Sequence, residues 1–331
     1  MSSLISARQE FEVTQVSNNV AKASEHYPIC FIIPTFNRAS ELRECLEHLE
    51  RQTFSQFEVI VVDDGSTDST PGDMEQYIAK THLQIRFFRQ QNSGPARARN
   101  FGVSQAHAPI CILIGDDIMA CPDFAASHLH FHTKNPELNY VGLGLTRWSE
   151  SGQKVTPLMR WLDSSGVQFA YQDLIQGQKP NWRHFYTSNL SVKTELLRKS
   201  PFDERFKKAL MEDIELGYRL EAQHDLRVGF LPDAFAEHIH PTDFRKTCRR
   251  AYNVGYESLL FEQLWPEAAP PRRPRGFLMR SIRDIFYSNT WLLGPVTSLT
   301  EAVTKFWCPN PLLLPLLAYH SGLGRRSKNL L

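Results

Sequence analysis

The sequence predicts an α/β fold in which helices flank a mostly parallel sheet, with a helical extension at the C-terminus. Short apolar runs alternate with helical segments between residues 28 and 117, which is the pattern of repeated strand–helix–strand units. The runs are continuously apolar, as strands buried on both faces of a parallel sheet are. The chain has 331 residues, a formal charge of +1 and 42% hydrophobic residues, values that exclude wholesale disorder.

The first four strands and three helices follow in a regular order. Apolar runs predict strands at residues 29–33, 59–62, 85–88 and 110–114. Ser40 is expected to cap the first helix, because its hydroxyl precedes acidic residues and an apolar stripe. That stripe is Leu42, Cys45, Leu46 and Leu49. The second helix is predicted to begin at Thr70, with proline at its first position, and the third at Gly94.

The second half is less regular. Strands are predicted at residues 140–145, 187–192 and 228–231, and helices at residues 209–222 and 243–264. A linker rich in proline and arginine is predicted at residues 266–276, followed by an apolar and aromatic segment with a basic end. We therefore divide the chain into a flexible tail (1–26), two halves (27–120 and 121–245) and a helical C-terminal extension (246–331).

Composition also bears on partners and location. The near-neutral charge provides no general field for nucleic acid, so no nucleic-acid partner is expected. The six cysteines include no CxxC pair, and Cys30 and Cys111 fall in predicted strands, as reduced core thiols do. The sequence contains no signal-peptide pattern and no apolar run of about 18 residues, so a cytoplasmic location is predicted.

Polar clusters follow three predicted strands, at residues 34–38, 63–66 and 115–117. Ligands bind beyond the carboxyl ends of parallel strands, so these clusters mark a candidate site. Asp64 could accept a hydrogen bond from a ribose or a base; alternatively it satisfies backbone amides in a turn. Asp116 and Asp117 are adjacent carboxylates that would bind Mg²⁺ or Mn²⁺ together with substrate phosphates, or would cap a following helix.

Further candidates lie along the chain. Arg97 follows a glycine at a helix start, a place suited to a pyrophosphate, although a solvated face is the alternative. Glu212 and Asp213 begin a helix, where one could act as a general base or both could complement the helix dipole. His238 and His240 share one strand face, either completing a metal site with Asp116 or serving as structural histidines. Three histidines are predicted on a helix surface: His128, His130 and His132.

Five motifs in this order resemble those of glycosyltransferase family 2 over residues 27–240. They are IIPTFNR at 32–38, VVDDGSTD at 61–68, GPARARN at 94–100, GDD at 115–117 and MED at 211–213. The resemblance implies the A-type glycosyltransferase fold, which is Rossmann-like. It also implies that residues 27–120 bind a nucleotide sugar and that residues 121–245 bind the acceptor and perform catalysis.

The resemblance implies a role for each matching position. The residues implied in substrate binding are Pro34, Thr35, Arg38, Asp64, Arg97 and Asp117. The family's DxD motif falls on residues 114–116, where Ile114 replaces the first aspartate, leaving Asp116 as the main metal ligand. His238 is preferred to His240 as a late metal or phosphate contact. Asp213 matches the catalytic base, with Glu212 beside it.

The implied reaction is metal-dependent transfer, with inversion, of a sugar from a nucleoside diphosphate, most simply UDP, to a glycan or lipid-linked acceptor hydroxyl. A role in cell-surface glycan synthesis follows. Separately, Phe306, Trp307 and the basic residues near the C-terminus could rest on the cytoplasmic membrane face, although a helical cap over the sheet or a dimer contact is the alternative. One alternative is a sugar-nucleotide-binding protein without turnover. The other is a nucleotidyltransferase, which would normally carry a glycine-rich loop where residues 34–38 stand.

Overall fold

The computed structural model describes residues 14–17, 27–268, 293–308 and 310–328. Within them the strands form one nine-stranded sheet in the order β1-β4-β3-β2-β5-β8-β7-β9-β6. The strands are β1 Thr14–Ser17, β2 Ile29–Thr35, β3 Phe57–Asp63, β4 Gln84–Arg89, β5 Ile110–Ile114, β6 Ile118–Ala120, β7 Tyr140–Trp148, β8 Asn189–Lys193 and β9 Arg227–His238. The fold is thus α/β, as predicted.

The parallel part of the sheet is β4-β3-β2-β5, and all four of its strands were predicted. Its helices are α1 Ala39–Glu50, α2 Thr70–Ile78 and α3 Pro95–Gln105. Alternate residues of β2 enter two different apolar cores, one on each face of the sheet, which explains why the strand is apolar throughout. The parallel strands therefore bring their carboxyl ends to one edge.

Two predictions in this half were wrong. The cap of α1 is Arg38 with no side-chain capping hydrogen bond, whereas Ser40 lies inside the helix and donates to Glu41 at 2.7 Å. Residues 14–17, predicted as part of a flexible tail, form the edge strand β1, which pairs antiparallel with β4. A strand of four residues is too short to show a clear alternation of apolar and polar residues, and this one is defined by its pairing with β4.

The second half has a mixed sheet. Strand β8 pairs antiparallel with β5 and β7, while β9 pairs parallel with β7 and antiparallel with β6. Strand β9 is longer than predicted because its pairing with β7 continues past an irregularity between Gly144 and Thr146. The helices are α4 Phe124–Lys134, α5 Pro157–Ser165, α6 Tyr171–Ile175, α7 Thr194–Lys199 and α8 Glu212–His224, with a 3-10 helix at Trp182–His184.

Two helix histidines are buried, so their predicted surface position was wrong. His128 and His132 lie one turn apart on α4 and both face Ser191, whose hydroxyl is 2.8 Å from His128 Nδ1 and 2.9 Å from His132 Nε2. His128 Nε2 lies 2.9 Å from Asn189 Oδ1. Burial lowers the pKa of His128 to about 4 and that of His132 to about 3. Both imidazoles are therefore neutral near pH 7 and serve as core hydrogen-bonding groups.

The C-terminal part is helical where the structure describes it. Its helices are α9 Phe244–Leu264, α10 Leu293–Thr304 and α11 Asn310–Lys328. Helices α9 and α11 touch backbone to backbone: a Cβ on Gly255 would lie 1.9 Å from the Ser321 carbonyl oxygen. Most of the predicted linker, residues 269–276, lies outside the described residues. None of the described helices has the length and hydropathy needed to cross a membrane.

Candidate active site

The candidate site begins where β2, β3 and β5 end at one edge of the sheet. Thr35, the last residue of β2, donates from Oγ1 to Asp116 Oδ2 at 2.8 Å. The carbonyl oxygen of Thr35 accepts from the Asp64 backbone N–H at 2.9 Å. One threonine therefore ties together the polar clusters that follow three neighbouring strands, as the sequence predicted for this edge.

Arg38 forms ion pairs with both of the adjacent carboxylates. Its Nη1 lies 3.1 Å from Asp116 Oδ1 and 2.5 Å from Asp117 Oδ2. Burial and the charge of Asp117 together raise the pKa of Asp116 to about 7. Burial also acts on Asp117, but His238, His240 and Arg38 outweigh it and hold the pKa of Asp117 well below its usual range. Near pH 7, therefore, Asp117 is ionised, whereas Asp116 is only partly ionised.

Asp117, His238 and His240 form a group that could hold a cation. Their ligand atoms all lie within 4.8 Å of one another, with His238 Nε2 3.3 Å and His240 Nδ1 3.2 Å from Asp117 Oδ2. Strand pairing produces this arrangement, because Ile118 of β6 lies opposite His238 of β9. Trp148, the residue of β7 opposite His238, stacks on that imidazole with ring centroids 5.0 Å apart.

This grouping differs from the predicted metal pair of Asp116 and His238. The oxygens of Asp116 accept from Thr35 and Arg38, and the carboxylate grouped with the imidazoles is Asp117. His240, which sequence reasoning placed second to His238, joins the group; the alternation of His238-Ile-His240 already put both rings on one strand face. Mg²⁺ binds almost only oxygen ligands, whereas Mn²⁺ also accepts imidazole nitrogens, so one carboxylate and two imidazoles suit Mn²⁺ better than Mg²⁺.

Asp64 holds the turn that precedes α3. Its Oδ1 accepts from Gln90 Nε2 at 2.7 Å and from the Ser93 N–H at 2.8 Å, and its Oδ2 accepts from the Gly94 N–H at 2.8 Å. Gly94 has a positive φ of 95°, and a Cβ there would lie 2.8 Å from the Lys207 carbonyl oxygen. In this structure the carboxylate thus fixes the start of α3, where the half-buried Arg97 occupies the first turn.

Glu212 and Asp213 have different surroundings. Glu212 is buried, pairs with Arg99 at 2.8 Å and accepts from the Leu210 N–H at 2.7 Å. Asp213 accepts from the Ile214 N–H at 2.8 Å and forms no ion pair within the described part of the chain. Burial and the neighbouring Glu212 charge raise the pKa of Asp213 to about 7. A carboxyl group with that pKa can exchange a proton near neutral pH.

Helix α3 links the two acidic regions. Its start is held by Asp64, and its Arg99 holds Glu212. Gly94 and Arg99 are five residues apart, which is about 7.5 Å along a helix. Because Thr35 joins Asp64 to Asp116, a continuous chain of contacts runs from the sheet edge to the beginning of α8. The remaining predicted residue, Pro34, lies half-buried in β2 beside Val62.

The sequence profile of glycosyl transferase family 2 matches residues 30–206, more than half of the chain. The chain belongs to glycosyltransferase family 2. The matched range contains Thr35, Arg38, Asp64, Asp116 and Asp117, whereas both histidines of the cation group and the Glu212–Asp213 pair lie beyond its end. This family-2 chain therefore completes its candidate site with residues outside the profile.

Named relatives of this family-2 chain are sugar transferases. Validoxylamine A glucosyltransferase of Streptomyces hygroscopicus subsp. jinggangensis is 32% identical over 236 residues, covering 60% of this chain and 53% of that protein. Glycosyltransferase GlyG of Streptococcus pneumoniae serotype 4 is 26% identical over 178 residues, covering 53% and 58%. The chain spans about half the length of the curated relatives it matches.

Solved structures show the same fold. Mannosyltransferase PcManGT from Pyrobaculum calidifontis, in complex with GDP-Man and Mn²⁺, matches with a TM-score of 0.57 and 17% identity over 93% of this chain and 88% of that one. TarS 1-349 of S. aureus, in complex with UDP, matches with a TM-score of 0.51 and 19% identity over 91% and 90%. The architecture of this family-2 chain is therefore that of the A-type glycosyltransferases.

Proposed function

We propose that this protein transfers a sugar, with inversion, from a nucleoside diphosphate to an acceptor hydroxyl. The observation that carries the proposal is the convergence of Arg38, Asp116, Asp117, His238 and His240 at the carboxyl edge of the sheet in a family-2 chain. A diphosphate needs cationic partners, and this edge offers an arginine together with a group suited to a metal ion. The glycosyltransferase names of the relatives support the same reaction.

The nucleotide is proposed to lie over the ends of β2 and β3. Pro34, Thr35 and Arg38 would line its pocket, Asp64 would face the base or ribose from the turn it holds, and Arg97 would face the diphosphate from α3. UDP is the proposed nucleotide, since a structural neighbour was solved with it. Because Asp64 already accepts three hydrogen bonds, its first contribution is to keep this turn in place.

Asp117, His238 and His240 are proposed to hold Mn²⁺, with Asp116 beside them. When bound, the ion would stabilise the negative charge of the departing diphosphate. Arg38 contacts both carboxylates and supplies one positive charge to them in this structure. A guanidinium also binds phosphate in a bidentate manner, so Arg38 is placed to exchange a carboxylate partner for the diphosphate.

Asp213 is proposed as the general base. It would take the proton of the acceptor hydroxyl while that oxygen attacks the anomeric carbon from the face opposite the diphosphate. The carbon–oxygen bond to the diphosphate breaks, and its electron pair leaves with the nucleotide. Glu212 acts through its neighbour, because its charge helps to keep the pKa of Asp213 near 7. Donor and acceptor orientation would supply most of the remaining rate enhancement.

The proposal is tested by measuring thermal stabilisation with UDP and GDP sugars in the presence of Mn²⁺, followed by transfer assays with the stabilising donor. We expect one donor to raise the melting temperature, since a ligand that binds the folded state stabilises it. Asp213→Asn should keep this shift and lose transfer by about 10²–10⁴-fold. Absence of any shift across the panel, or full transfer by Asp213→Asn, would contradict the proposal.

A cytoplasmic location with peripheral membrane contact is also proposed, in a role in cell-surface glycan synthesis. All six cysteines are free thiols, which suits a reducing compartment. Leu299, Phe306 and Trp307 are 67%, 86% and 66% exposed around the end of α10, with Lys305 exposed beside them. Flotation with anionic vesicles should recover the protein and lose the double variant Phe306→Ser, Trp307→Ser; equal flotation of both would refute the contact.

A further inference from the structure

Two carboxylates stand side by side at the start of α8, and Arg99 is committed to one of them. Arg99 Nη1 lies 2.8 Å from Glu212 Oε1, and the two side chains are 7% and 2% exposed. Asp213 accepts a hydrogen bond from the Ile214 N–H and has no ion pair with the described residues. Two adjacent carboxylates are both ionised at neutral pH only where enough positive charge surrounds them. Ionisation of Asp213 beside Glu212 therefore calls for a second cation.

Helix α9, in the C-terminal extension, is attached to the chain on both sides of these carboxylates. Asn253 Oδ1 accepts from Lys208 Nζ at 2.6 Å, and Trp265 Nε1 donates to Glu215 Oε1 at 3.1 Å. Lys208 precedes Asp213 in the chain, and Glu215 follows it in the first turn of α8. These contacts hold α9 alongside the beginning of α8.

Arg250 is the residue of α9 that brings a positive charge to this place. It lies three residues before Asn253, so the two side chains share a face of the helix. The charges of Asp213 and Glu212 both act on Arg250. Arg250 is exposed and makes no hydrogen bond or ion pair within the described part of the chain. Its guanidinium therefore faces the two carboxylates without being held by another acid.

Charged and titratable groups reach Asp213 from four parts of the described chain. They are Glu212 on α8, Arg99 on α3, Arg250 on α9 and Tyr186 in the segment before β8. Burial raises the pKa of Tyr186 to about 12, so this phenol is neutral near pH 7. Burial and the Glu212 charge raise the pKa of Asp213, whereas the charges of Arg99 and Arg250 lower it. Because Arg99 is paired with Glu212, Arg250 is the cation that remains for Asp213.

We propose that Arg250 is a positioning residue of the active site, whose positive charge keeps Asp213 ionised so that it can accept a proton. The inference rests on the proposed sugar transfer with Asp213 as base, and it gives the C-terminal extension a part in that reaction. Arg250 lies beyond residue 206, where the match to the family profile ends. Since the guanidinium is exposed, dissolved salt should screen its effect on Asp213.

The test is a pH titration of the Asp213 carboxyl group by carbon-13 NMR on the full chain with labelled aspartate, in which Asp213→Asn identifies the signal. Arg250→Met should raise the titration midpoint by about half a pH unit or more, because it removes the charge that compensates the ionised carboxylate. Arg250→Lys should restore most of the difference, and about 1 M salt should reduce it. The matched control Arg249→Met removes the neighbouring exposed arginine of α9 and should leave the midpoint unchanged.

An unmoved midpoint in Arg250→Met, or an equal change in Arg249→Met, would overturn the inference. Melting temperatures identify a variant that fails to fold, and Arg250→Gln then replaces Arg250→Met. In transfer assays, the rise of kcat/KM with pH should move upward in Arg250→Met by the same interval as the NMR midpoint, with the donor KM unchanged. The titration needs no donor: a raised midpoint without transfer in the wild type contradicts the proposed function, whereas transfer with an unmoved midpoint contradicts the role of Arg250.

Discussion

Exchanging one oxygen for nitrogen at Glu212 and at Asp213 should have opposite effects on stability. Glu212 and Arg99 form an ion pair at 2.8 Å whose side chains are 2% and 7% exposed. Glu212→Gln removes one charge and leaves the other buried, a change that costs about 3–5 kcal/mol. Total stabilities of folded domains are about 5–15 kcal/mol, so this loss should be visible in any unfolding curve.

Asp213→Asn should instead stabilise the protein as the pH rises. The pKa of Asp213 is about 7 in the folded protein, whereas an ordinary aspartate side chain, as in the unfolded chain, has a pKa of 3.8. Above pH 3.8 the unfolded chain therefore loses this proton more readily than the folded protein does, which favours unfolding. The group's stabilising contribution is complete below about pH 4 and is lost as the pH rises through 7. Asparagine does not titrate, and the variant's advantage should grow over this window to at most about 4 kcal/mol.

Urea unfolding of both variants and the wild type at pH 5, 6, 7 and 8 measures these effects. We expect Glu212→Gln to be less stable than the wild type at every pH, and the stability gain of Asp213→Asn to increase up to pH 7 and then level off. Equal stability of Glu212→Gln and wild type would refute the assignment of Glu212 as the partner of Arg99. A pH-independent effect of Asp213→Asn would refute the raised pKa of Asp213.

Three other predictions concern separate parts of the molecule. Arg38→Met should tighten Mn²⁺ binding, because it removes the guanidinium that pairs with the carboxylates of the site, and it should weaken UDP binding. Calorimetry with each ligand measures both effects, and weaker Mn²⁺ binding by the variant would contradict this prediction. Gly324→Ala places a Cβ 1.9 Å from the Tyr252 carbonyl oxygen and should cost about 1–3 kcal/mol or more in thermal unfolding, whereas Gly72→Ala, with open space around it, should be neutral or stabilising. His128→Gln should flatten the loss of stability between pH 6.5 and 4, since the wild-type imidazole has a pKa of about 4 when folded and takes up a proton on unfolding; an unchanged acid limb would count against this.

The parallel half of the fold could be predicted from the sequence because its strands are buried on both faces. Such strands are continuously apolar, and their ends are marked by polar residues such as Asp64 and Asp116. The position of the polar clusters at one edge of the sheet could therefore be predicted without knowledge of long-range contacts. The start of α8 at Glu212 and the apolar stripe of α1 could also be predicted, because both depend on the spacing of residues close together in the sequence.

The remainder depends on pairings between distant strands. His240 joins the candidate cation group because β6 pairs with β9, and the sequence around His240 does not predict that pairing. The burial of His128 depends on Ser191, which is 63 residues away. The sequence allowed Asp64 either to contact a nucleotide or to accept hydrogen bonds from backbone amides in a turn. Only the fold shows that its carboxylate oxygens accept hydrogen bonds at the start of α3.

Calorimetric titration of UDP into the full chain, with and without Mn²⁺, tests the central claim most directly. We expect Mn²⁺ to tighten UDP binding in the wild type and in Asp233→Asn, whose exposed carboxylate lies outside the site, and we expect Asp117→Asn to abolish this enhancement. UDP affinity that is unaffected by Mn²⁺, or an enhancement that survives Asp117→Asn, would contradict the placement of a metal-assisted diphosphate site at this sheet edge.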